Sequence, residues 1–205
     1  MCKSIFLFLL ISLNIFPQIF EKEFSPGIIA TINSDYNNAF RYWNRKIEEN
    51  PESVEWYFLK ALTIFIQIED TGNYFLKDKS LEIIKTVLKK TEYGNKDYRN
   101  CLYRGIAFGY RGAIKIKTGN LFGGILDGIK SSSQLKKCIE LKKDIPEPYI
   151  FLGIQKYWKG KYLSSIKWFP AFKDEREEGI NLIKSHLIKD SFLSVSYTHL
   201  TLPTN

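Results

Sequence analysis

The chain has few of the side chains that metal sites need. Its 205 residues include two histidines and three cysteines. Away from the two ends of the chain, these leave His186, Cys101 and Cys138, which do not have the spacing of metal ligands. Protein metal sites require such residues in clusters. We therefore predict no metal site.

The motifs of common catalytic and nucleotide-binding sites are also missing. The sequence has no G-x-S-x-G of a serine hydrolase, no G-x-G-x-x-G and no phosphate-binding loop. Four carboxylates between Asp174 and Glu178 have no apolar surroundings that would raise a pKa, so they are interpreted as the solvated start of a helix. We therefore predict no catalytic residue and no cofactor, and we expect that the protein is not an enzyme.

The composition excludes a disordered chain, because 44% of the residues are apolar and 15% are aromatic. Lysine and arginine exceed aspartate and glutamate by 30 to 22, which gives a net charge of +8. The excess consists of single lysines scattered along the chain. This pattern favours a solvated basic surface over its alternatives, a nucleic-acid or anionic-lipid patch.

Residues 1–20 differ from everything that follows. Lys3 precedes an apolar run over 5–16 that is interrupted only by Ser12 and Asn14. This pattern is typical of a secretory signal peptide, and the run is short for a membrane span of about 20 residues. Because no small-x-small cleavage site is present, an uncleaved N-terminal membrane anchor is the alternative. Both interpretations predict export to the periplasm or the cell surface.

Residues 195–205 resemble translated sequencing-adapter sequence. They are rich in serine and threonine and do not continue the helical period that precedes them. We therefore predict that 194–205 is a tail foreign to the native chain. The remaining organisation is a linker over 21–33 and one truncated domain over 34–193.

Helical periodicity and punctuation by Gly, Asn and Pro predict an all-α domain. In the helix after Gly119-Asn120, a second periodic apolar run is predicted, consisting of Leu121, Ile125, Ile129, Leu135, Cys138, Ile139 and Leu141. Helices are expected near 35–49, 54–69, 78–91, 97–117, 121–143, 147–159 and 174–190.

The spacing of several residues resembles tetratricopeptide repeats. Ala39, Trp43 and Pro51 match the small, aromatic and proline positions of that family's second helix, and Tyr57 and Ala61 match its first helix. The resemblance implies helical hairpins stacked as a right-handed solenoid, with a longer period than usual. The C-terminal part also resembles uncharacterised exported bacterial proteins of this class, which brings no known activity with it.

In tetratricopeptide arrays the first helices line a concave groove that takes a peptide or a protein tail. By that resemblance the candidate binding residues are Lys60, Tyr103, Arg104, Tyr110 and Arg111. The basic side chains favour an acidic or carboxylate-ending peptide. We therefore expect an exported scaffold that binds a protein or peptide. The alternative is an envelope glycan-processing enzyme or its accessory subunit, in which aromatic residues would stack on sugars.

Two cysteines are predicted to face each other across the central hairpin. Cys101 and Cys138 lie at equal distances from the turn at Gly119-Asn120. Packed helices bring facing Cα atoms close enough for a disulfide, and an exported protein would allow one. Two buried core cysteines are the alternative.

Overall fold

A computed structural model describes residues 25–92, 97–163 and 174–186, and the described part of the chain is all-helical with no strand. The predicted segments 1–20 and 194–205 lie outside the described residues. The described residues form eight α-helices, which are α1 (Ser25–Ile32), α2 (Tyr36–Glu49), α3 (Val54–Thr71), α4 (Lys77–Lys90), α5 (Tyr98–Lys117), α6 (Leu121–Leu141), α7 (Glu147–Leu163) and α8 (Arg176–His186). The predicted all-α class is confirmed, and the helices begin and end close to the predicted positions.

Local side-chain chemistry explains where several helices begin and end. Asp35 accepts from the amide of Asn38 at the start of α2, and Asn120 accepts from the amide of Gly123 at the start of α6. Gly72 ends α3 with φ +66°, in the left-handed region that favours glycine. These polar and glycine turns are the punctuation from which the helices were predicted.

The predicted linker over 21–33 instead contains helix α1. Pro26 lies in its first turn, where proline is well tolerated because that amide needs no partner in the helix. Gly27 leaves room for the indole of Trp43, which a Cβ atom there would overlap. The hydroxyl of Thr31 lies 3.0 Å from that of Thr63, which accepts from Trp43 Nε1 at 2.9 Å. A buried polar contact therefore joins α1 to α2 and α3.

The helices pack as four successive hairpins, α1–α2, α3–α4, α5–α6 and α7–α8. We call α1, α3, α5 and α7 the first helices and the others the second helices. Each hairpin packs on the next, and α5 contacts the first helices on both sides, α3 and α7. Helix α3 is buried over most of its circumference, as expected for an inner helix covered from several sides.

Helices α5 and α6 approach each other closely through small residues. A Cβ atom on Gly112 would lie 2.9 Å from the carbonyl oxygen of Gly124, and Ser131 Oγ donates to the carbonyl of Gly105 at 2.7 Å. The buried face of α6 is accordingly made of small and polar residues with few apolar ones. Its buried residues are Gly124, Asp127, Ser131, Leu135 and Cys138.

This face corrects part of the predicted apolar run of α6, of which Leu135 and Cys138 are buried. Ile129 is 61% exposed, Leu141 is 41% exposed and Leu121 is 39% exposed. Gly124 and Ser131 are buried instead, because they allow the two backbones to approach. The preference for burying apolar side chains is overridden here by close helix packing.

Cys101 and Cys138 face each other across this contact, as predicted, and both are buried free thiols. The neighbouring Cys101 thiol and burial raise the pKa of the Cys138 thiol. Cys101 also donates to the carbonyl of Gln134, with the sulfur 3.1 Å from the oxygen. The structure therefore shows the arrangement of two core cysteines and not a disulfide.

Candidate functional site

The structure places Tyr103 and Tyr110 in the core, so the prediction that they line an open groove is wrong. Tyr103 is 1% exposed and Tyr110 is 6% exposed. Their ring centroids lie 4.8 Å and 4.7 Å from those of Phe58 and Phe65, respectively. Burial raises the pKa of both phenols. These tyrosines join α5 to α3 and are not available to a ligand.

Arg104 and Arg111 point toward the second helices. Arg104 Nη1 donates to the carbonyl of Leu88 at 2.6 Å, in the last turn of α4. Arg111 donates to both carboxylate oxygens of Asp127 on α6, at 2.7 and 2.6 Å. The two arginines therefore do not line a groove along the first helices, and both guanidinium groups already have partners.

The side chain of Asp127 is 3% exposed and accepts from two cations of α5. Lys115 Nζ lies 2.7 Å from its Oδ2, beside the bidentate contact of Arg111. Burial raises the pKa of Asp127, but the hydrogen bonds from Arg111 and Lys115 outweigh it and hold the pKa below its ordinary value. This ion cluster joins α5 to α6.

Three cations also surround the buried ring of Phe108. The guanidinium carbons of Arg104 and Arg111 lie 5.3 and 5.0 Å from the ring centroid, and Lys130 Nζ lies 5.8 Å from it. These distances are within the range of cation–π contacts. The phenyl ring thus gives the arginine side chains a second contact within the fold.

Lys60, the remaining predicted site residue, lies half-buried on α3. Burial lowers its pKa, and the charge of Lys79 on α4 lowers it further. The five predicted residues therefore do not form one accessible site. Two are core aromatics, two arginines bind the second helices, and one lysine lies on a different first helix.

The exposed face of α6 carries a feature that the sequence reasoning missed. Phe122 is 74% exposed, Leu126 is 43% exposed and Ile129 is 61% exposed. Their spacing of four and then three residues places them on one side of the helix, opposite the face that packs on α5. We call these three residues the α6 stripe. It extends about 10 Å along the helix axis.

The same outward positions of the other hairpins are polar. Helices α4 and α6 can be aligned by their buried residues, with Ser80 of α4 matching Gly124 of α6. In this alignment the positions of the α6 stripe are occupied on α4 by Asp78, Glu82 and Lys85. Helix α2 has exposed Asn38 and Arg41 at the corresponding positions. The sequence carries a signal for this face. The glycines of α6 predict close helix approach, and combining that prediction with the helical period would have placed these apolar residues outside.

The exposed charged residues of α6 are mostly basic. Lys130 and Lys136 are exposed on the same helix. Asp127 is held by Arg111 and Lys115, which leaves Glu140 as the exposed carboxylate of α6. The stripe can therefore contact an apolar surface while Lys136 contacts an acidic group beyond its end, and Lys130 lies over the ring of Phe108.

The described residues contain no group of three or more His, Cys, Asp or Glu side chains able to hold a metal ion. Within the same residues, none of the helices combines the length and apolar character needed to cross a membrane. Comparisons of the chain with known protein families, with curated proteins and with solved structures find no match.

Proposed function

We propose that the chain is an exported helical-repeat scaffold that binds a protein or peptide in the bacterial cell envelope. The proposal of export is supported by the sequence pattern of residues 1–20, which is typical of a signal peptide or an N-terminal anchor. A stack of hairpins offers a large surface without convergent catalytic groups.

We further propose that the hairpins stack as in tetratricopeptide repeats. Ala39 and Trp43, at the family's small and aromatic positions, are 0% and 1% exposed. A Cβ atom on Gly153 of α7 would lie 2.7 Å from the carbonyl oxygen of Gly179, so the fourth hairpin also approaches closely through a small residue. Contacts between successive first helices support the same arrangement.

The observation that carries the proposed binding function is the α6 stripe. Exposed apolar residues are common singly, but a contiguous set on one helix face is typical of an interaction surface. Fully burying one such side chain contributes about 1.5–3 kcal/mol. The polar faces of α2 and α4 show that the outer side of a hairpin in this fold does not need apolar residues.

Charge indicates the kind of partner. The exposed Lys130 and Lys136 flank the stripe, and Asp127 is neutralised within the fold. An amphipathic helix with one apolar face and acidic flanks is complementary to this surface. A short segment that becomes ordered on binding is expected to bind with micromolar affinity, and the exposed charges make the affinity fall with salt.

The test is recovery of partners from an envelope extract by the wild-type chain and two double variants. Leu126→Ser/Ile129→Ser removes two stripe residues, and Glu82→Ser/Lys85→Ser changes the matched positions of α4. We expect the wild type and the α4 variant to recover the same proteins and the α6 variant to lose them. Equal recovery by both variants, with unchanged helicity, would refute the assignment of the stripe.

A further inference from the structure

One edge of the hairpin stack carries exposed apolar side chains on neighbouring turns. Tyr74 and Phe75, in the turn between α3 and α4, are 40% and 96% exposed. Leu121 and Phe122, directly after the turn between α5 and α6, are 39% and 74% exposed. We call these four residues the turn edge. Phe122 also belongs to the α6 stripe.

Side-chain contacts show that the turns of this edge lie level with one another. Lys117, the last residue of α5, pairs with Glu69 near the end of α3. Ser34, in the turn between α1 and α2, donates to Asp70 at 3.1 Å. Helices α1, α3 and α5 therefore end level with one another, and the turns that follow them form a row.

The direction of the side chains at the starts of α4 and α6 also favours their protrusion at this edge. Side chains of an α-helix tilt toward its N-terminus. Helices α4 and α6 both begin at this edge, so Phe75, just before α4, and Phe122, in the first turn of α6, are placed to extend toward it. A nearly fully exposed phenylalanine is costly in water, and no described residue covers Phe75.

The opposite edge of the stack differs. The turn between α2 and α3 consists of Asn50, Pro51, Glu52 and Ser53, and the turn between α6 and α7 begins with two lysines. Among the described residues at this opposite edge, the exposed large apolar side chain is Leu141, which is 41% exposed. Among the described turns, the exposed aromatic side chains therefore lie at the turn edge.

We propose that the turn edge docks on the surface of a phospholipid bilayer and inserts Phe75 and Phe122 into its interfacial region. The apolar side chains protrude from separate turns, so a rigid protein partner would need a separate pocket for each. A fluid bilayer accepts such side chains without shape complementarity, and aromatic rings are favoured at its interface.

Charge at the edge specifies the lipid. The carboxylates Asp70 and Asp78 are balanced by Lys77 and Lys79, and Glu69 is paired with Lys117. Asp35, in the turn between α1 and α2, leaves the edge with one net negative charge, so its attraction to lipid is apolar. Binding should accordingly occur on zwitterionic phosphatidylcholine and change little with salt.

The experiment is flotation of the full chain with phosphatidylcholine vesicles. Phe75→Ser/Phe122→Ser removes two apolar side chains of the edge, and Leu126→Ser/Ile129→Ser removes two from the α6 stripe away from it. We expect the edge variant to partition about 10-fold more weakly than the wild type and the stripe variant to partition as the wild type does. Residues 1–20 are common to all three chains, so the comparison isolates the edge.

Three results would overturn the proposal. These are a wild-type chain that does not float, an edge variant that floats as well as the wild type, and a stripe variant that loses as much binding as the edge variant. Thermal melting followed by circular dichroism confirms that each variant is folded. Because the stripe variant is the one that tests partner recovery, failure of the lipid proposal leaves the proposed protein-binding function to be judged separately.

Discussion

Helices α4 and α6 occupy equivalent places in successive hairpins but divide their polar and apolar residues in opposite ways. Helix α4 buries Ile84, Val87 and Leu88 and exposes Glu82 and Lys85, as a surface helix normally does. Helix α6 buries Gly124, Asp127 and Ser131 and exposes the α6 stripe. Helix α6 is thus held by close backbone contact and an ion cluster, and three of its large apolar side chains remain exposed as the α6 stripe.

The largest expected effect concerns the ion cluster, which has no counterpart on α4. Asp127→Ala should lower the free energy of unfolding by about 3 kcal/mol, because it leaves two half-buried cations without their carboxylate. Asp78→Ala, at an exposed position of α4, should change it by less than about 0.5 kcal/mol. Urea unfolding followed by circular dichroism measures both. Equal effects would show that the cluster does not hold α6.

Acidification tests the same contact. The pKa of Asp127 is held below its ordinary value in the folded chain. Its contribution to stability is therefore present above the pKa of the unfolded carboxyl group and is lost as the pH falls through the lowered folded pKa. We expect the difference in unfolding free energy between wild type and Asp127→Asn to shrink on titration from neutral pH to strongly acidic pH. A difference that stays constant would contradict this role.

Two glycines test the close helix contact. Gly112→Ala should destabilise the chain by about 1–2 kcal/mol, because its Cβ atom would lie 2.9 Å from the backbone oxygen of Gly124. Gly128→Ala should stabilise it by about 0.5–1 kcal/mol, since the nearest atom of the surroundings lies 3.6 Å away and alanine favours the helix. Thermal melting compares the two. Stabilisation by both would mean that the backbones are not in tight contact.

Substitutions in the α6 stripe are expected to have the smallest effect on the free energy of unfolding. Leu126→Ser/Ile129→Ser should change the free energy of unfolding by no more than about 0.5 kcal/mol per residue, because both side chains are exposed. The Glu82→Ser/Lys85→Ser variant of α4 should behave alike in the same urea titration. A loss of several kcal/mol from the α6 variant alone would show that the stripe is covered within the fold.

The sequence predicted the helices well because turn residues mark their ends. Asp35, Gly72 and Asn120 cap or end helices as their chemistry requires. Helix α1 was missed because an eight-residue segment shows little periodicity, and its stability comes from packing on Trp43.

The candidate site could be predicted less well than the helices. Tyr103 and Arg104 are neighbours in sequence but lie about 100° apart around the helix, so one is buried while the other contacts α4. The inner face of α6 could not be read from hydrophobicity, because glycine and a paired aspartate occupy it. The glycines indicate close helix approach in the sequence, but the pairing of Asp127 with Arg111 and Lys115 is seen in the packing of α5 on α6.

The most direct test of the account places a photoreactive phenylalanine analogue at position 129 of α6 or at position 85 of α4, in cells with an intact envelope. We predict a discrete cross-link to another protein from position 129 and none from position 85, because position 129 lies in the apolar α6 stripe and position 85 lies on a polar helix face. No cross-link from position 129, or the same cross-linked proteins from both positions, would contradict the central claim that α6 is the binding helix.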